Sequence, residues 1–471
     1  MQKRIIIIVV GWFWGFGVLA QDMKLAYVVV NKITIEGNSK TKEKVFTREL
    51  TFAVGDTLKL ETFSNKLEEN RKRLTSTGLF TLVTVNVKDW GADNRVTVAI
   101  KVLETWYIYP APTFQFADRN FNVFWNGGNP HWNRINYGML FTYNNFRGLQ
   151  DPLTVTLQGG YTPKVALSYS LPFINKAQTI GIGGSVGYSQ NTEVNYGTSG
   201  NKQLFIRDTV ELKPYQKEVG GDVSMTYRPG LYSSHVIDVG YRKRNIAGAV
   251  AALNPDFYTG GQTEERFWSL YYGFADDHRD EKFYPKKGYY LGAYISKDGL
   301  VASDNVNDLL VGLRLGKFFT LSDRWSFEAL SHLQTNLVRG PRPYRLDKAL
   351  GYGSDFLRGY EYYVVDGPDF GFLKSTLRYE FFRTIVDFKK SMPVKQFRLL
   401  PISTYLTFNN DLGYANNPYN VDTTNTFNNR LLYSYGMSLN FVFAYDIVIK
   451  VDYSVNHLNQ GAVYLRFTAN F

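Results

Sequence analysis

The sequence of 471 residues is rich in tyrosine, phenylalanine and glycine, with 34, 34 and 41 residues, and contains no cysteine. The lack of cysteine excludes a disulfide framework. The net charge of +11 comes from scattered Lys and Arg residues, without the basic stripe typical of nucleic-acid binding, and in an exported protein it favours attraction to anionic lipid head groups. The composition fits a transmembrane β-barrel, in which only every second residue meets lipid. A large soluble all-β protein is the alternative.

The single long apolar run lies at the N-terminus. Lys3 and Arg4 precede an apolar stretch over residues 5–19, and a small-residue cleavage pattern ends at Ala20. The pattern predicts a secretory signal peptide over residues 1–20, because the run is shorter than the ~20 residues that a spanning helix needs. An uncleaved anchor is the alternative. After cleavage, the protein is expected to have no membrane helix.

Residues 22–104 differ in sequence pattern from the rest of the chain, and this pattern predicts a small domain. Periodicity and turn residues give its elements in chain order: a strand at 28–35, a helix ending near Leu50, a helix at 61–75, and strands at 82–88 and 95–103. The order is therefore β-α-α-β-β. An unrelated small α+β domain would show the same order, so the individual residues have to decide.

Several short motifs follow one another in this domain. They comprise Ile33 and Ile35 before Gly37-Asn38, then Thr41, Arg48-Glu49-Leu50, Gly55-Asp56, Thr77-Gly78-Leu79-Phe80 and Val83. In this order they resemble a POTRA domain, the periplasmic module of the BamA superfamily of outer-membrane assembly proteins, also described as bacterial surface antigens. The resemblance implies a short sheet whose edge accepts a strand from a partner.

From residue 105 to 471 the sequence alternates between apolar and polar residues. We predict sixteen strands, at 107–117, 134–144, 151–161, 163–172, 179–189, 217–228, 234–244, 264–275, 287–296, 308–318, 323–336, 370–382, 397–410, 430–443, 446–456 and 461–471. In the last strand Val463, Leu465 and Phe467 share one face, and Arg466 lies on the other. Charged residues in mid-strand suit a water-filled lumen better than a soluble sandwich.

The connections also alternate in length. The longest predicted ones, at 118–133, 190–216, 245–263, 337–369 and 411–429, all follow odd-numbered strands. Outer-membrane barrels have long outside loops and short periplasmic turns. The fold class predicted for the chain is therefore mostly β: a small βααββ POTRA domain followed by a sixteen-stranded antiparallel transmembrane β-barrel over residues 105–471, with the POTRA domain and the C-terminus in the periplasm.

The longest predicted connection carries the sequence Leu357-Arg358-Gly359-Tyr360. It resembles the loop motif of the BamA superfamily, usually Val/Ile-Arg-Gly-Phe, and Phe408-x-x-Asp411-x-Gly413 resembles an acidic strand motif of the same family. A guanidinium and a carboxylate form a directional, paired tie. Asp411 has the parity of the polar face of its strand, so Arg358, Gly359, Tyr360 and Asp411 are predicted to lock the loop to the barrel wall. The alternative leaves Arg358 in solvent and Asp411 capping a turn.

The family often has a second acidic partner on the strand after this loop. In this chain Thr376 occupies that place, and Glu380 lies on the same predicted face. Both are candidates for a second partner of Arg358, although Arg378 competes for Glu380.

The two terminal strands of the barrel predict a weak seam. Pro110 and Pro112 in the first strand lack backbone donors, and Gly461 weakens the start of the last strand. Such a seam is what a lateral gate requires. Phe471 is a terminal aromatic residue of the kind that outer-membrane barrels present for their own assembly.

The resemblance covers nearly the whole mature chain and implies insertion or translocation of client proteins at the outer membrane. The expected partners are unfolded outer-membrane or secreted clients, possible periplasmic or lipoprotein accessory subunits and outer-membrane lipids, with no nucleic acid. No phosphate loop, nucleophile elbow or His/Cys cluster is visible in the sequence, so we expect no enzyme, metal or cofactor. An outer-membrane pore or transporter, and a POTRA-based envelope scaffold, are alternatives without insertase activity.

Overall fold

The computed structural model describes residues 27–118, 120–125, 131–175, 177–207, 213–282, 284–387, 399–420, 422–443 and 447–468. The predicted signal peptide at 1–20 and Phe471 lie outside these ranges. The chain divides into two units, Met1–Thr105 and Trp106–Phe471. Within the described ranges, no helix is long and apolar enough to cross a membrane.

The first unit is a four-stranded sheet with two helices. Its elements in chain order are β1 (Tyr27–Glu36), α1 (Glu43–Glu49), β2 (Thr57–Lys59), α2 (Leu60–Ser76), β3 (Phe80–Trp90) and β4 (Arg95–Glu104). The strands lie in the order β2-β1-β4-β3, with β1 and β4 parallel. Apolar side chains from the helices and the long strands form the core, among them Val30, Phe46, Leu74, Val98 and Ile100. The predicted order is present, with the three-residue strand β2 in addition.

The second unit is one large antiparallel sheet with a separate hairpin and short helices. Its elements are β5 (Ile108–Phe116), α3 (Phe121–Trp125), β6 (Ile135–Tyr143), β7 (Leu153–Gly160), β8 (Lys164–Leu171), β9 (Ile180–Asn191), β10 (Glu193–Ser199), β11 (Lys202–Arg207), β12 (Gln216–Tyr227), β13 (Ser233–Ile246), α4 (Gly248–Leu253), β14 (Glu264–Asp277), β15 (Gly288–Asp298), β16 (Asp308–Thr320), β17 (Trp325–Asn336), β18 (Asp369–Asp387), β19 (Leu399–Asn416), β20 (Leu431–Phe443), β21 (Val448–Asn456) and β22 (Gly461–Thr468). Short 3-10 turns lie at Thr259–Gly261 and Tyr344–Leu346. All strands except β10 and β11 join one sixteen-stranded sheet, in sequence order from β5 to β22.

The large sheet carries its apolar side chains on the exposed face and its polar side chains on the buried face, the reverse of a soluble sandwich. In β20, Tyr435 is 53% exposed, whereas Ser438 is 3% exposed. Apolar side chains therefore cover the exposed outer face, and small polar side chains such as Asn440 are buried on the inner face. A soluble sandwich would bury the apolar set between its sheets, whereas a membrane barrel exposes it to lipid. The alternation thus has the sense expected of a membrane barrel.

The sixteen predicted strands are confirmed, and the differences lie at their ends and in the loops. β18 and β19 run to Asp387 and Asn416, several residues beyond the predicted ends. The predicted loop at 190–216 contains the hairpin β10–β11, which turns at Gly200 and Asn201 with φ of 57° and 58°. Two central residues with positive φ are the requirement of a tight hairpin turn, so the Gly-Asn pair was the signal for this hairpin.

The described residues do not close the sheet into a hydrogen-bonded cylinder. β5 and β22 are its two edge strands, and the described part of the chain records no pairing between them. The predicted closure is therefore corrected at this one position. All the remaining pairs of adjacent strands in the described sheet are joined by antiparallel ladders of hydrogen bonds.

Gly37 offers a test of the first unit. Its φ is +92°, and a Cβ built on it would lie 2.0 Å from the Val102 carbonyl oxygen. Gly37→Ala is therefore expected to lower the free energy of unfolding of this unit by more than the about 1–3 kcal/mol that a strained backbone alone costs, measured in the intact protein as faster hydrogen exchange of the β1 and β4 amides.

Gly55 provides the matched control. Its φ is +98°, but no atom lies within 4 Å of an added Cβ. Gly55→Ala imposes the same backbone strain without the contact, so equal effects of the two substitutions would show that the clash at Gly37 is not responsible.

Candidate functional site

The connection between β17 and β18, residues 337–368, folds against the inner face of the sheet. Its apolar side chains Leu357 and Tyr360 are 1% and 4% exposed and belong to a cluster with Phe427 and Leu432. The Tyr360 N–H donates to the Leu357 carbonyl at 3.2 Å, and Gly359 in this turn has a φ of +83°. A positive φ at the third turn position favours glycine. The turn therefore points Arg358 away from the apolar cluster.

Arg358 lies in a buried polar site on the inner face of β18 and β19. Its backbone N–H donates to Asp411 Oδ2 at 2.9 Å, and its Nε lies 3.0 Å from both carboxylate oxygens of Asp411. Nη2 also binds Asp411 and donates to the Ser375 carbonyl at 3.3 Å. Nη1 donates to Asn409 Oδ1 and to Thr376 Oγ1, the latter at 3.0 Å. All five guanidinium N–H groups thus have acceptors, which is what burial of this charge demands.

The second acidic partner proposed from the sequence needs a correction. Thr376 is in place and accepts a hydrogen bond from Arg358, but Glu380 binds Lys286 at 2.8 Å and Arg383 instead. Glu380 is four residues further along β18, a distance of about 13 Å in an extended strand. The alternation of side chains places Glu380 on the same inner face as Thr376. Its position further along the strand, however, puts it near the turn at Lys286. Arg378 does not take it either, since Arg378 binds Glu328.

Tyr360 and Gly359 attach the loop to β20, to the end of β21 and to the turn that follows β21. The Tyr360 hydroxyl donates to the Tyr433 carbonyl at 2.9 Å, and its ring stacks on His457 with centroids 5.8 Å apart. The Gly359 carbonyl accepts a hydrogen bond from Asn456 Nδ2 at 3.1 Å. Together with the contact between Arg358 and Asp411 of β19, these bonds join the turn to β19, β20, β21 and the β21–β22 connection.

Glu361 extends this network to the edge strand β22 and was not identified from the sequence. Its carboxylate binds Arg466, which also binds Asp452 at 2.5 Å. The Glu361 carbonyl accepts a hydrogen bond from Asn120 Nδ2 at 3.0 Å. The inward parity of Arg466 and Asp452 was visible in the sequence, but nothing local indicated which loop residue would meet them.

The edge strands differ in how they present their backbone groups. The backbone N–H of Asn144 donates to the Tyr107 carbonyl at 2.9 Å, and the backbone N–H of Ala117 donates to the Arg134 carbonyl at 2.8 Å. The backbone groups of Tyr107 and of every second residue after it therefore form the hydrogen bonds to β6. Pro110 and Pro112 belong to the other set. The prolines leave the nine-residue pairing with β6 intact and remove donors only from the edge that faces away from it.

β22 pairs with β21 along its described length, from Gly461 to Thr468. The Asn456 N–H donates to the Gln460 carbonyl at 3.1 Å, so even-numbered residues of β22 bond β21 and odd-numbered ones point to the open edge. A Cβ on Gly461 would lie 2.6 Å from the Tyr453 hydroxyl. Gly461 thus makes room for a cross-strand tyrosine and does not break the ladder.

A cavity of about 750 Å³ lies between the Arg358 turn and the two edge strands. Its walls include Phe114 of β5, Phe467 of β22, and the ammonium-bearing side chains of Lys374 and Lys450. No cluster of three or more His and acidic residues that could hold a metal occurs in the described ranges. The site is therefore a polar, charged interior bordered by an open sheet edge.

Comparisons with known proteins agree with this architecture. Residues 28–105 match the POTRA family model, described as a surface antigen variable number repeat. The fold is similar to that of BamA from Haemophilus ducreyi lacking POTRA domains 1–3, with a TM-score of 0.61, 14% identity, and coverage of 93% of this chain and 84% of that one. The chain therefore shares its fold with this BamA structure.

Two CdiB structures share the same fold. CdiB from Escherichia coli matches with a TM-score of 0.56, 11% identity, and coverage of 93% of this chain and 75% of that one. CdiB from Acinetobacter baumannii matches with a TM-score of 0.53, 12% identity, and coverage of 93% of this chain and 73% of that one. No curated protein matches the sequence. At these identities the similarity to BamA and CdiB concerns the fold.

The ion pair between Arg358 and Asp411 can be tested by mutation. Arg358→Ala leaves the Asp411 carboxylate, which is 1% exposed, without its charged partner. Breaking a buried ion pair in this way lowers the free energy of unfolding by about 3–5 kcal/mol. We expect the loop at 337–368 to detach, seen as increased hydrogen exchange over these residues. Asp411→Asn should have the same effect, and Arg339→Ala, which removes an exposed ion pair with Asp369, should not. Equal loop protection in all three variants would contradict this role.

Asp366 in the same loop gives a pH dependence. Burial raises the pKa of Asp366 to about 6, against the effect of a hydrogen bond from Tyr352. Because the folded-state pKa is raised, this carboxyl group stabilises the loop fully below the unfolded pKa of about 4, and the contribution is lost as the pH rises through 6.

The test is a nitroxide label on Ser354→Cys, since the chain has no other cysteine. We expect the label to become more mobile between pH 5 and pH 7.5. Asp366→Asn should remove most of this change, and a change that persists in that variant would exclude Asp366 as its source.

Proposed function

We propose that this protein lies in the outer membrane and assists the insertion or translocation of client proteins there. The similarity to BamA and CdiB supports the class of protein, and the exposed apolar outer face supports the location. The POTRA domain would lie in the periplasm. No nucleotide or cofactor takes part in the proposal.

The POTRA domain would receive unfolded clients through its sheet. Its edge strand β3 is 11 residues long and carries Leu82, 58% exposed, and Trp90, 48% exposed. An edge of this kind offers backbone hydrogen bonds to an extended chain and apolar side chains to its alternate residues. Periplasmic or lipoprotein accessory subunits would use the same surface.

The open edge between β5 and β22 is the single observation that carries the proposal. Elsewhere in the described sheet each strand is held by a ladder of backbone hydrogen bonds, each contributing about 0.5–1.5 kcal/mol. Separation of β5 from β22 breaks no such ladder among the described residues. The edge-facing prolines Pro110 and Pro112 would further weaken any pairing there. A client strand could therefore enter at this seam more easily than at any other.

The Arg358 loop would keep one side of the seam rigid. Through Asp411, Tyr433, Asn456 and Arg466 it contacts strands from β19 to β22. Because these contacts fix β22 relative to its neighbours, movement at the seam would fall on the β5 side. A fixed edge is a better template for an incoming strand than a mobile one, since less conformational entropy is lost on pairing.

Photocrosslinking in reconstituted membranes tests this function. A benzoylphenylalanine at Phe114 of β5 or at Val463 of β22 is expected to capture a client during its assembly. The same residue at Phe319 of β16, which is also exposed on a strand far from the seam in sequence, should capture severalfold less. Arg358→Ala should slow client assembly without loss of the protein from the membrane.

Two outcomes would contradict the proposal. Ion conductance without any client crosslink would favour a passive pore. Capture of one fixed periplasmic partner by the POTRA domain, with no client at the seam, would favour an envelope scaffold.

A further inference from the structure

The short helix α3, which follows the first strand, contacts the open edge of the last strand. Asn122 Oδ1 accepts a hydrogen bond of 3.1 Å from the backbone N–H of Leu465. Leu465 is odd-numbered, so this N–H belongs to the set that points away from β21. The Phe121 ring packs edge-on against Phe467, with centroids 5.9 Å apart. A side-chain amide thus occupies the position that a carbonyl of a neighbouring strand would take.

The segment Asn120–Trp125 is seated in this position by its own packing. Phe124 is 1% exposed, and its ring lies 4.3 Å from that of Phe116 at the end of β5. Asn122 is 8% exposed. Asn120 Oδ1 accepts the Val123 N–H at 3.0 Å and so caps the start of the helix. The contact with Leu465 is therefore made by a segment that is held by its own packing, with Asn122 and Phe124 buried.

The same segment is attached to the Arg358 loop. Asn120 Nδ2 donates to the carbonyl of Glu361, and the carboxylate of Glu361 binds Arg466 on β22. Asn120–Trp125 is thus held from two directions, by the edge of β22 and by the residues that follow Tyr360.

We propose that Asn120–Trp125 is an internal cap on the edge of β22, which an incoming strand must displace. The inference rests on the proposed function for the identity of the displacing partner, an extended amphipathic client segment. Such a segment would bring a backbone carbonyl to the Leu465 N–H and an apolar side chain to Phe467. The two occupants exclude each other, because the Leu465 N–H bonds one acceptor at a time.

The contacts of the cap suit an exchange of this kind. Among the described residues, the cap makes one hydrogen bond to the edge backbone, whereas a paired antiparallel strand would make two, through the N–H and the carbonyl, at every second residue of β22. A client strand therefore gains more edge contacts than the cap loses. Without a client, the cap covers an apolar, hydrogen-bonding edge, which would otherwise be open to unwanted pairing with other chains.

A disulfide across the contact tests displacement. The chain has no cysteine, so Phe121→Cys with Phe467→Cys offers a single pair for oxidation. Oxidation is expected to abolish client capture at Val463, and reduction should restore it. The matched control is Phe319→Cys with Phe327→Cys, which face each other in β16 and β17 with ring centroids 6.3 Å apart. Its oxidation should leave capture unchanged.

Hydrogen exchange tests the cap without any client. Asn122→Ala is expected to raise the exchange rate of the β22 peptide containing Leu465 severalfold, whereas Val123→Ala on the same helix should not. Unchanged exchange in Asn122→Ala, failure of the 121–467 disulfide to form, or equal client capture in the oxidised and reduced protein would each overturn the cap. Absence of client capture in the unmodified protein would overturn the proposed function, and the exchange result would then still decide whether the cap exists.

Discussion

The buried guanidinium of Arg358 is the constraint around which the second unit is organised. A charge that is 9% exposed needs an acceptor for every donor, and Asp411, Asn409, Thr376 and a carbonyl supply them from two adjacent strands. A slip of one residue in either strand would turn these groups to the outer face. The loop therefore depends on the register of β18 and β19, and it also stabilises that register, since a slipped pairing would leave both charges unpaired.

This interaction makes the sheet asymmetric. β18 and β19 are 19 and 18 residues long and meet the Arg358 loop, whereas β5 has 9 residues and two prolines on its open edge. The loop contacts continue through Tyr433 and Asn456 to β22. The edge strand β22 is thus fixed by charge and hydrogen bonds, whereas the edge strand β5 pairs with β6 within the described residues of the sheet.

The sequence predicted the strands well because their signal is local. Side-chain direction alternates with a period of two, so parity alone indicates that Asp411 and Arg466 face inward. Parity does not give height along a strand, which is why Glu380 was placed near Arg358 although it lies by Lys286. The contact between Glu361 and Arg466 joins residues 105 positions apart, and no periodic pattern encodes such a pairing. The loop–strand contacts therefore had to come from the structure or from family resemblance.

Glu361 connects the loop and the cap through separate atoms. Its carboxylate binds Arg466 and its carbonyl accepts from Asn120, so the position of its backbone is set by the Arg358 turn three residues earlier. If the turn moved, the acceptor for Asn120 would move with it, while Asn122 would remain bound to Leu465. The cap would then lose its attachment to the loop and keep its contacts with β22. Arg358 thus influences the edge of β22 without contacting it, and the turn and the cap are expected to respond together when a strand approaches.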